Sequence, residues 1–264
     1  MQIEEIKHRV EREREAHTER DVLAENAIIK QRFTHLDRYP SKRQLLTKMH
    51  NLTQNLTGKI ILDYGCGRGE TSLKCLANGA KKVFGIDISP VYIKNAREKA
   101  IEAGYPEDRY LFQEMDAHTL QFPDDFFDLI TGKGILHHLN VQIALDEIYR
   151  VLKPEGRVIL QEPLSDNPLL KIFRFLTPKA RTMDEKPLSR RQIQILKSNH
   201  LWLAEFSYCG ILEMPIAMAT SILIPKSPEN WFLKAADKIE KWTHRKRILL
   251  TWNQYVLINL VKIG

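Results

Sequence analysis

Cysteine is scarce in this chain: Cys66, Cys75 and Cys209 are the three among 264 residues. They stand neither in pairs nor at the short spacings that a disulfide framework or a zinc site requires. We therefore exclude a small disulfide-stabilised secreted domain and expect a chain that works in a reducing, cytoplasmic compartment. Histidines and carboxylates also form no group at ligand spacing along the sequence, so no metal is expected.

Long apolar runs are missing as well. No stretch reaches the roughly 20 apolar residues that a membrane-spanning helix needs, and the densely charged residues 1–20 lack the apolar centre of a signal peptide. The length suits one domain with insertions better than two. The net charge of +7 allows a nucleic-acid or anionic-membrane partner, although a solvated basic surface explains that charge without either.

Glycine is not abundant, yet three glycines stand at alternate positions in one turn, Gly65, Gly67 and Gly69. Residues 60–62 before them are an apolar run typical of a buried parallel strand, and residues 71–78 after them favour a helix. A strand, a glycine turn and a helix in this order start a nucleotide-binding βα unit.

The turn does not match the dinucleotide fingerprint G-x-G-x-x-G, because Glu70 stands where the third glycine belongs. Carboxylates at Asp63 and Glu70 would repel a pyrophosphate and would suit a cationic cofactor. Asp87 follows Gly67 by 20 residues, at the end of the next predicted strand, where a ribose-binding carboxylate is expected. These residues indicate a cofactor with a ribose, a positive charge and no phosphate, which describes S-adenosylmethionine.

This stretch resembles motif I of the class I S-adenosylmethionine-dependent methyltransferases. The resemblance implies that the turn lines the methionine part of the cofactor, that Asp87 binds the ribose hydroxyls and that Asp116 accepts from the adenine amino group. Asp63 would orient the turn or meet the cofactor's amino group. The implied cofactor residues are Asp63, Gly65, Cys66, Gly67, Asp87, Ile88, Asp116, Ala117, Gly132 and Lys133.

Residues 127–139, FDLITGKGILHHL, resemble motif IV of the small-molecule branch of that family. The Asn-Pro-Pro-Tyr signature of amino-methylating DNA and glutamine enzymes is missing, and so is the Pro-Cys nucleophile of cytosine C5-methylation. His137 and His138 are candidate general bases, although either could simply pack or cap a helix. Glu162, at the end of the fifth predicted strand, could accept a substrate proton or cap nearby backbone.

The sequence after the glycine turn alternates predicted strands and helices, which implies a parallel sheet with its site at the carboxyl ends of the strands. Residues 150–156, a turn and its approach, resemble the ubiquinone/menaquinone-like and natural-product branch. The expected fold is α/β, a seven-stranded, mostly parallel Rossmann-like sheet whose last strand is antiparallel. We expect an N-terminal helical arm or lid (1–52) and a domain (53–264) with C-terminal helical insertions at about 164–187 and 211–250.

The resemblance implies methyl transfer from S-adenosylmethionine to N, O or C of a small-molecule acceptor, most simply a secondary metabolite. Three alternatives stay open at this point: a quinone or lipid acceptor at a membrane surface, suggested by residues 211–224 and the basic helix after them; an RNA acceptor; and a non-catalytic relative. Residues 21–39, 164–187 and 211–250 are expected to close over the cofactor, with Phe173, Phe175, Met214 and Met218 as candidate pocket walls.

Overall fold

The alternating pattern folds into one seven-stranded sheet in the computed structural model, which describes residues 2–19, 27–28, 31–168, 171, 186–198 and 202–263. The central strands coincide with apolar runs that are buried on the sheet, whereas the edge strand β6 is largely exposed or half-buried. The strands are β1 (Ile60–Tyr64), β2 (Lys82–Asp87), β3 (Tyr110–Glu114), β4 (Phe127–Lys133), β5 (Leu152–Pro163), β6 (Trp202–Cys209) and β7 (Tyr255–Lys262).

The strand order is β3-β2-β1-β4-β5-β7-β6. The pairs among β1 to β5 are parallel, whereas β7 is antiparallel to both β5 and β6. The predicted fold class is confirmed, including the reversed last strand inserted beside the strand that follows residue 189. Because β6 then runs parallel to β5, its carboxyl end lies at the same edge of the sheet as those of β1 to β5.

Helices cover both faces of the sheet and pack there through apolar side chains, whereas α1 is largely charged. In chain order they are α1 (Gln2–Glu19), α2 (Pro40–Thr53), α3 (Glu70–Ala77), α4 (Pro90–Glu102), α5 (Val141–Val151), α6 (Arg190–Ser198), α7 (Glu213–Leu223) and α8 (Trp231–Thr243). One face is packed by α2, α3, α4, α7 and α8, and the other by α5 and α6. None of the helices in the described part of the chain is long and apolar enough to cross a bilayer.

The fifth strand is longer than predicted. Residues 153–156, expected as a turn before the strand, lie inside β5, where Leu152 pairs with Phe127 and Arg157 with Leu129. Four residues therefore stand opposite the single Asp128, and Glu155 takes a positive φ of 61°. The predicted turn is therefore a bulge within β5, placed before the part of the strand that lies in the core.

The insertion at 211–250 forms α7 and α8, which pack beside α2. Met214 is buried in the core on this face and Met218 packs against that core, so neither side chain forms part of the cofactor cleft described below. Phe173 and Phe175 lie outside the described residues. The boundary between an arm (1–52) and a domain (53–264) stays a prediction.

Candidate active site

The glycine turn between β1 and α3 is tied to the neighbouring strand. The Cys66 amide donates to the Ile86 carbonyl at 2.8 Å, which fixes the turn at the carboxyl edge of β2. Gly65 adopts a φ of 71°, and a Cβ built there would lie 2.8 Å from the Ile135 side chain. Only glycine therefore fits at this position, where the chain bends tightly under the loop after β4.

Asp87 completes the turn from the end of β2. Its Oδ2 accepts from the Gly67 amide at 2.9 Å and its Oδ1 from the Ser89 amide at 3.0 Å. Burial raises the pKa of this carboxyl, and the two amide hydrogen bonds act against that rise. The carboxylate is thus held rigidly at the position where the sequence predicts a ribose contact.

Asp63 supports the turn from beneath. It is buried, and its Oδ2 accepts from the Ser72 hydroxyl of α3 at 2.6 Å. Burial raises the pKa of Asp63 to about 6, although the Ser72 hydrogen bond and Lys133 oppose the rise. Of the two expected roles, this contact fits orientation of the turn. Glu70 points away to the surface, where it forms an ion pair with Lys99.

Asp116 and His118 form a chain of hydrogen bonds just after β3. Asp116 Oδ1 accepts from the His118 amide at 2.9 Å and from His118 Nδ1 at 2.8 Å, while His118 Nε2 accepts from the Asn140 amide at 3.0 Å. Because Nε2 is an acceptor, the proton of the neutral ring is on Nδ1. Burial raises the pKa of Asp116, but the His118 hydrogen bonds outweigh it and the net shift is downward.

These elements surround a cleft of about 790 Å³, including its open mouth, at the carboxyl edge of the sheet. That size is in the usual range for a cofactor or small ligand. Seven of the ten predicted cofactor residues line the cleft: Gly65, Gly67, Asp87, Ile88, Asp116, Ala117 and Lys133. Asp63, Cys66 and Gly132 are buried behind it.

Gly132 acts by its lack of a side chain. A Cβ at this position would lie 2.6 Å from the Tyr64 carbonyl oxygen, so a larger residue would push β4 away from the end of β1. The Cys66 thiol is buried 3.6 Å from the Gly67 carbonyl oxygen, and burial raises the pKa of this thiol well above its usual range. Both residues shape the cleft rather than line it.

The three candidate catalytic residues occupy different places. Glu162 is fully buried and accepts from the amides of Ile135 and Leu136 at 3.0 and 2.9 Å and from His137 Nδ1 at 2.7 Å. It thereby holds the short 3-10 helix Leu136–His138 on β5. His137 is turned toward Glu162, and His138 lines the cleft.

Helix α1 lies across the mouth of the cleft, to which it contributes Val10, Glu13 and His17. Arg9 Nη2 donates to the His137 carbonyl at 3.2 Å, and the Ser89 hydroxyl donates to the His17 carbonyl at 3.2 Å. The cover is therefore attached to both the β4 and the β2 side of the site. Of the predicted closing segment 21–39, residues 21–26 and 29–30 lie outside the described residues.

The closure by α1 brings three ionisable side chains together. Glu13 Oε2 lies 3.2 Å from His138 Nδ1 and 3.5 Å from His17 Nε2. One ligand atom from each of these residues lies within 4.8 Å of the other two, a spacing at which a divalent ion can be bound. Chain spacing does not reveal this group, because His138 is more than a hundred residues from the other two.

Sequence reasoning missed Glu13, His17 and His118 as cleft residues. Glu13 and His17 are one helical turn apart, a signal that they share a face of α1, but nothing in the sequence says what that face meets. His118 follows Asp116 by two residues, and this closeness to a predicted cofactor contact is the signal that could have indicated a place for His118 in the cleft.

The middle of the chain is similar to a known domain family. Residues 62–160 match the family described as Methyltransferase domain. This span starts in β1 and ends in β5, so it contains the glycine turn, Asp87, Asp116 and both histidines. Residues 62–160 of this chain therefore form a methyltransferase domain, of the class I S-adenosylmethionine-dependent type.

Two relatives of this methyltransferase domain are named as methyltransferases of small molecules. The 27-O-demethylrifamycin SV methyltransferase of Amycolatopsis mediterranei is 33% identical over 117 residues, 41% of this chain and 43% of that protein. The demethylmenaquinone methyltransferase of Thermus thermophilus is 43% identical over 107 residues, 39% of this chain and 47% of that protein. The matched segments thus span less than half of either relative.

A solved structure agrees with the fold over most of the chain. Phosphoethanolamine N-methyltransferase 2 of Haemonchus contortus, in complex with S-adenosyl-L-methionine, superposes with a TM-score of 0.58 at 19% identity. The superposition covers 84% of this chain and 53% of that one. At this identity the likeness shows a shared fold, and the cofactor residues of the present methyltransferase domain rest on its own geometry.

Proposed function

We propose that the protein transfers the methyl group of S-adenosylmethionine to N, O or C of a small organic acceptor of secondary-metabolite type. The observation that carries this proposal is the cleft itself. Two carboxylates, Asp87 and Asp116, come to it from the ends of adjacent strands, and a charged helix covers its mouth. The acceptor would enter between α1 and the loop after β4.

The cofactor would supply an already activated methyl group when bound, so the chain has to position and enclose it rather than activate it. Asp87 and Asp116, both held by backbone amides, would bind the ribose and the adenine amino group. Helix α1 would exclude water from the sulfonium. Glu162 would act through the backbone, by holding the 3-10 helix that carries His138.

His138 is our proposed general base where the acceptor must lose a proton. Its ring lines the cleft, and its Nδ1 faces the Glu13 carboxylate at 3.2 Å, so Nε2 is the nitrogen that would accept the proton. His137 is engaged by Glu162 at 2.7 Å, so its Nδ1 is occupied by a buried carboxylate. We therefore assign it a positioning role.

The test is a search for the acceptor. Metabolite extracts are incubated with the protein and radiolabelled methyl donor, and labelled products are identified. We expect a labelled small molecule with the unaltered protein and none with Asp87→Ala. With that acceptor in hand, His138→Gln should lower kcat while the affinity for cofactor is retained; an equal loss of both would contradict the base assignment.

A quinone or lipid acceptor is the second candidate, favoured by large apolar side chains exposed on α7 and α8. Labelled products that partition into the organic phase of a lipid extract would select it. Label incorporated into RNA, with a steep dependence of RNA binding on salt, would instead select the RNA alternative. A protein that binds cofactor but labels nothing would be the non-catalytic relative.

A further inference from the structure

The helical hairpin of α7 and α8 exposes an apolar surface that the methyltransferase site does not use. At the corner between the two helices, Leu223 is 77%, Trp231 66%, Ile222 62% and Phe232 45% exposed. The rings of Trp231 and Phe232 stack with their centroids 4.1 Å apart. Four large apolar side chains at one corner exceed the isolated exposed residues that soluble surfaces normally carry.

Helix α8 continues this corner along its length. Trp231, Ala235, Ile239 and Trp242 follow one another at successive turns, and Ile239 and Trp242 are about half exposed. The core side of the same helix is a separate stripe, formed by the buried residues Leu233, Ala236, Glu240 and Thr243. The outer apolar stripe is therefore additional to the one that packs the helix onto the protein.

A third stripe of α8 is basic. Lys234, Lys238 and Lys241 are exposed at helical spacing beside the apolar stripe, and Arg245 and Lys246 follow the end of the helix. The Lys246 ammonium lies 5.7 Å from the centre of the Trp242 ring. Two carboxylates reduce this charge: Asp237 pairs with Lys241 at 2.6 Å, and Glu229 pairs with Arg43 at 2.5 Å.

We propose that this surface, defined by Ile222, Leu223, Trp231, Phe232, Ile239 and Trp242 with its flanking lysines, docks the protein on an anionic lipid bilayer. A helix lying in the bilayer interface combines these features: an apolar stripe rich in tryptophan that enters the acyl boundary, and lysines that reach the headgroups. Indole rings favour that boundary because they are apolar with one polar edge.

The charge pattern distinguishes a bilayer from the other possible occupants. A second copy of the chain would bring its own lysine stripe against this one, and like charges would repel. A nucleic acid would be attracted by the lysines but would gain nothing from the aliphatic side chains at Ile222 and Leu223. An anionic bilayer satisfies both the basic and the apolar stripe.

The docking surface is connected to the active-site edge of the sheet. Helix α7 starts four residues after β6 ends, at the edge that holds the cofactor cleft. Near its far end, His35 Nδ1 contacts the Thr220 hydroxyl at 2.9 Å and His35 Nε2 the Pro225 carbonyl at 3.2 Å. His35 belongs to the described residues 31–39 before α2, so a docked hairpin would hold that part of the chain next to the lipid.

The test is co-sedimentation of the full-length protein with vesicles of phosphatidylcholine alone and of an equal mixture of phosphatidylcholine and phosphatidylglycerol. We expect about tenfold tighter partitioning to the anionic vesicles, weakened by salt. The variant with Leu223→Asp and Trp231→Asp should lose that partitioning. The matched control is Ile101→Asp on α4, which changes a side chain of similar exposure, 61%, outside the docking surface.

Three results would overturn the proposal. The first is equal partitioning to both kinds of vesicle, and the second is an equal loss of partitioning in the double variant and in the Ile101→Asp control. The third is a protein that binds no vesicles but self-associates, with the self-association lost in the double variant. Tryptophan emission supplies a second measurement, since it should shift to the blue on anionic vesicles only. Neither readout depends on methyl transfer, so a failed docking test and a failed activity test remain distinguishable.

Discussion

At the scale of single residues, the least ordinary group is a pair of buried carboxylates joined by one serine. Ser41 Oγ contacts both Glu213 Oε2 and Glu240 Oε1, and the Ser41 amide also donates to Glu213 at 2.9 Å. Glu240 accepts in addition from the amides of Gly210 and Leu212 at 2.6 and 3.2 Å. The serine hydroxyl can donate its one proton to only one of the two carboxyl oxygens. A proton on Glu213 would supply the second hydrogen bond.

Burial, followed by the charge of Glu240, raises the pKa of Glu213 from 4.5 to about 7. Because the pKa of Glu213 is higher in the folded than in the unfolded state, its protonation stabilises the fold. This contribution is complete below pH 4.5 and is lost as the pH rises through 7. The free energy of unfolding should therefore fall between pH 5 and pH 8, by up to roughly 3 kcal/mol from this group. Denaturant unfolding across that range measures it.

Glu213→Gln keeps the hydrogen-bonding shape without the charge. We expect a flatter pH profile and a variant that is more stable than the unaltered protein at pH 8. Glu102→Gln, an exposed substitution at the end of α4, is the control and should retain the original slope. The same decline with pH in Glu213→Gln as in the control would show that Glu213 is not the group responsible.

At the scale of elements, α1 covers the site and is attached to it through polar contacts. It reaches the rest of the described protein through contacts such as the Arg9 to His137 hydrogen bond, the Arg14 to Glu114 ion pair and the group around Glu13. Most of its remaining surface is charged. Elements held in this way open at low free-energy cost, which suits a cover that must admit cofactor and acceptor.

Amide hydrogen exchange should therefore show α1 becoming more protected when S-adenosylhomocysteine binds. Amides of α5, whose apolar face is packed in the core, serve as the internal control and should not change. Glu13→Ala, which removes the contacts to both His17 and His138, should reduce the gain in α1. Equal protection of α1 with and without ligand would make it a fixed structural arm. That residues 21–39 also close over the cofactor stays a prediction.

The elements also show why part of the site could be predicted and part could not. Asp87 and Asp116 follow apolar runs, and the register of a parallel sheet brings all such strand ends to one edge, so local patterns sufficed. Glu13 and His17 lie on a helix whose docking depends on a few long-range contacts, and no local pattern encodes these. Asp63 and Gly132 are among the predicted cofactor residues, and only the packed structure shows that they stand behind the cleft.

At the scale of the whole molecule, the antiparallel β7 distinguishes this fold from an all-parallel sheet. It pairs with β5 over seven residues and with β6 over eight, and the hairpin of α7 and α8 lies in the connection between β6 and β7. The hairpin that carries the proposed docking surface is thus inserted between two paired strands of the methyltransferase sheet.

The central claim is that the cleft binds S-adenosylmethionine rather than a dinucleotide, and calorimetry tests it most directly. We predict one site per chain for S-adenosylmethionine or S-adenosylhomocysteine with nanomolar to micromolar affinity, no measurable heat with NAD, and a loss of roughly a hundredfold in affinity for Asp87→Ala, whose fold is checked by its thermal unfolding. Tight binding of NAD, or cofactor affinity unchanged in Asp87→Ala, would contradict the account.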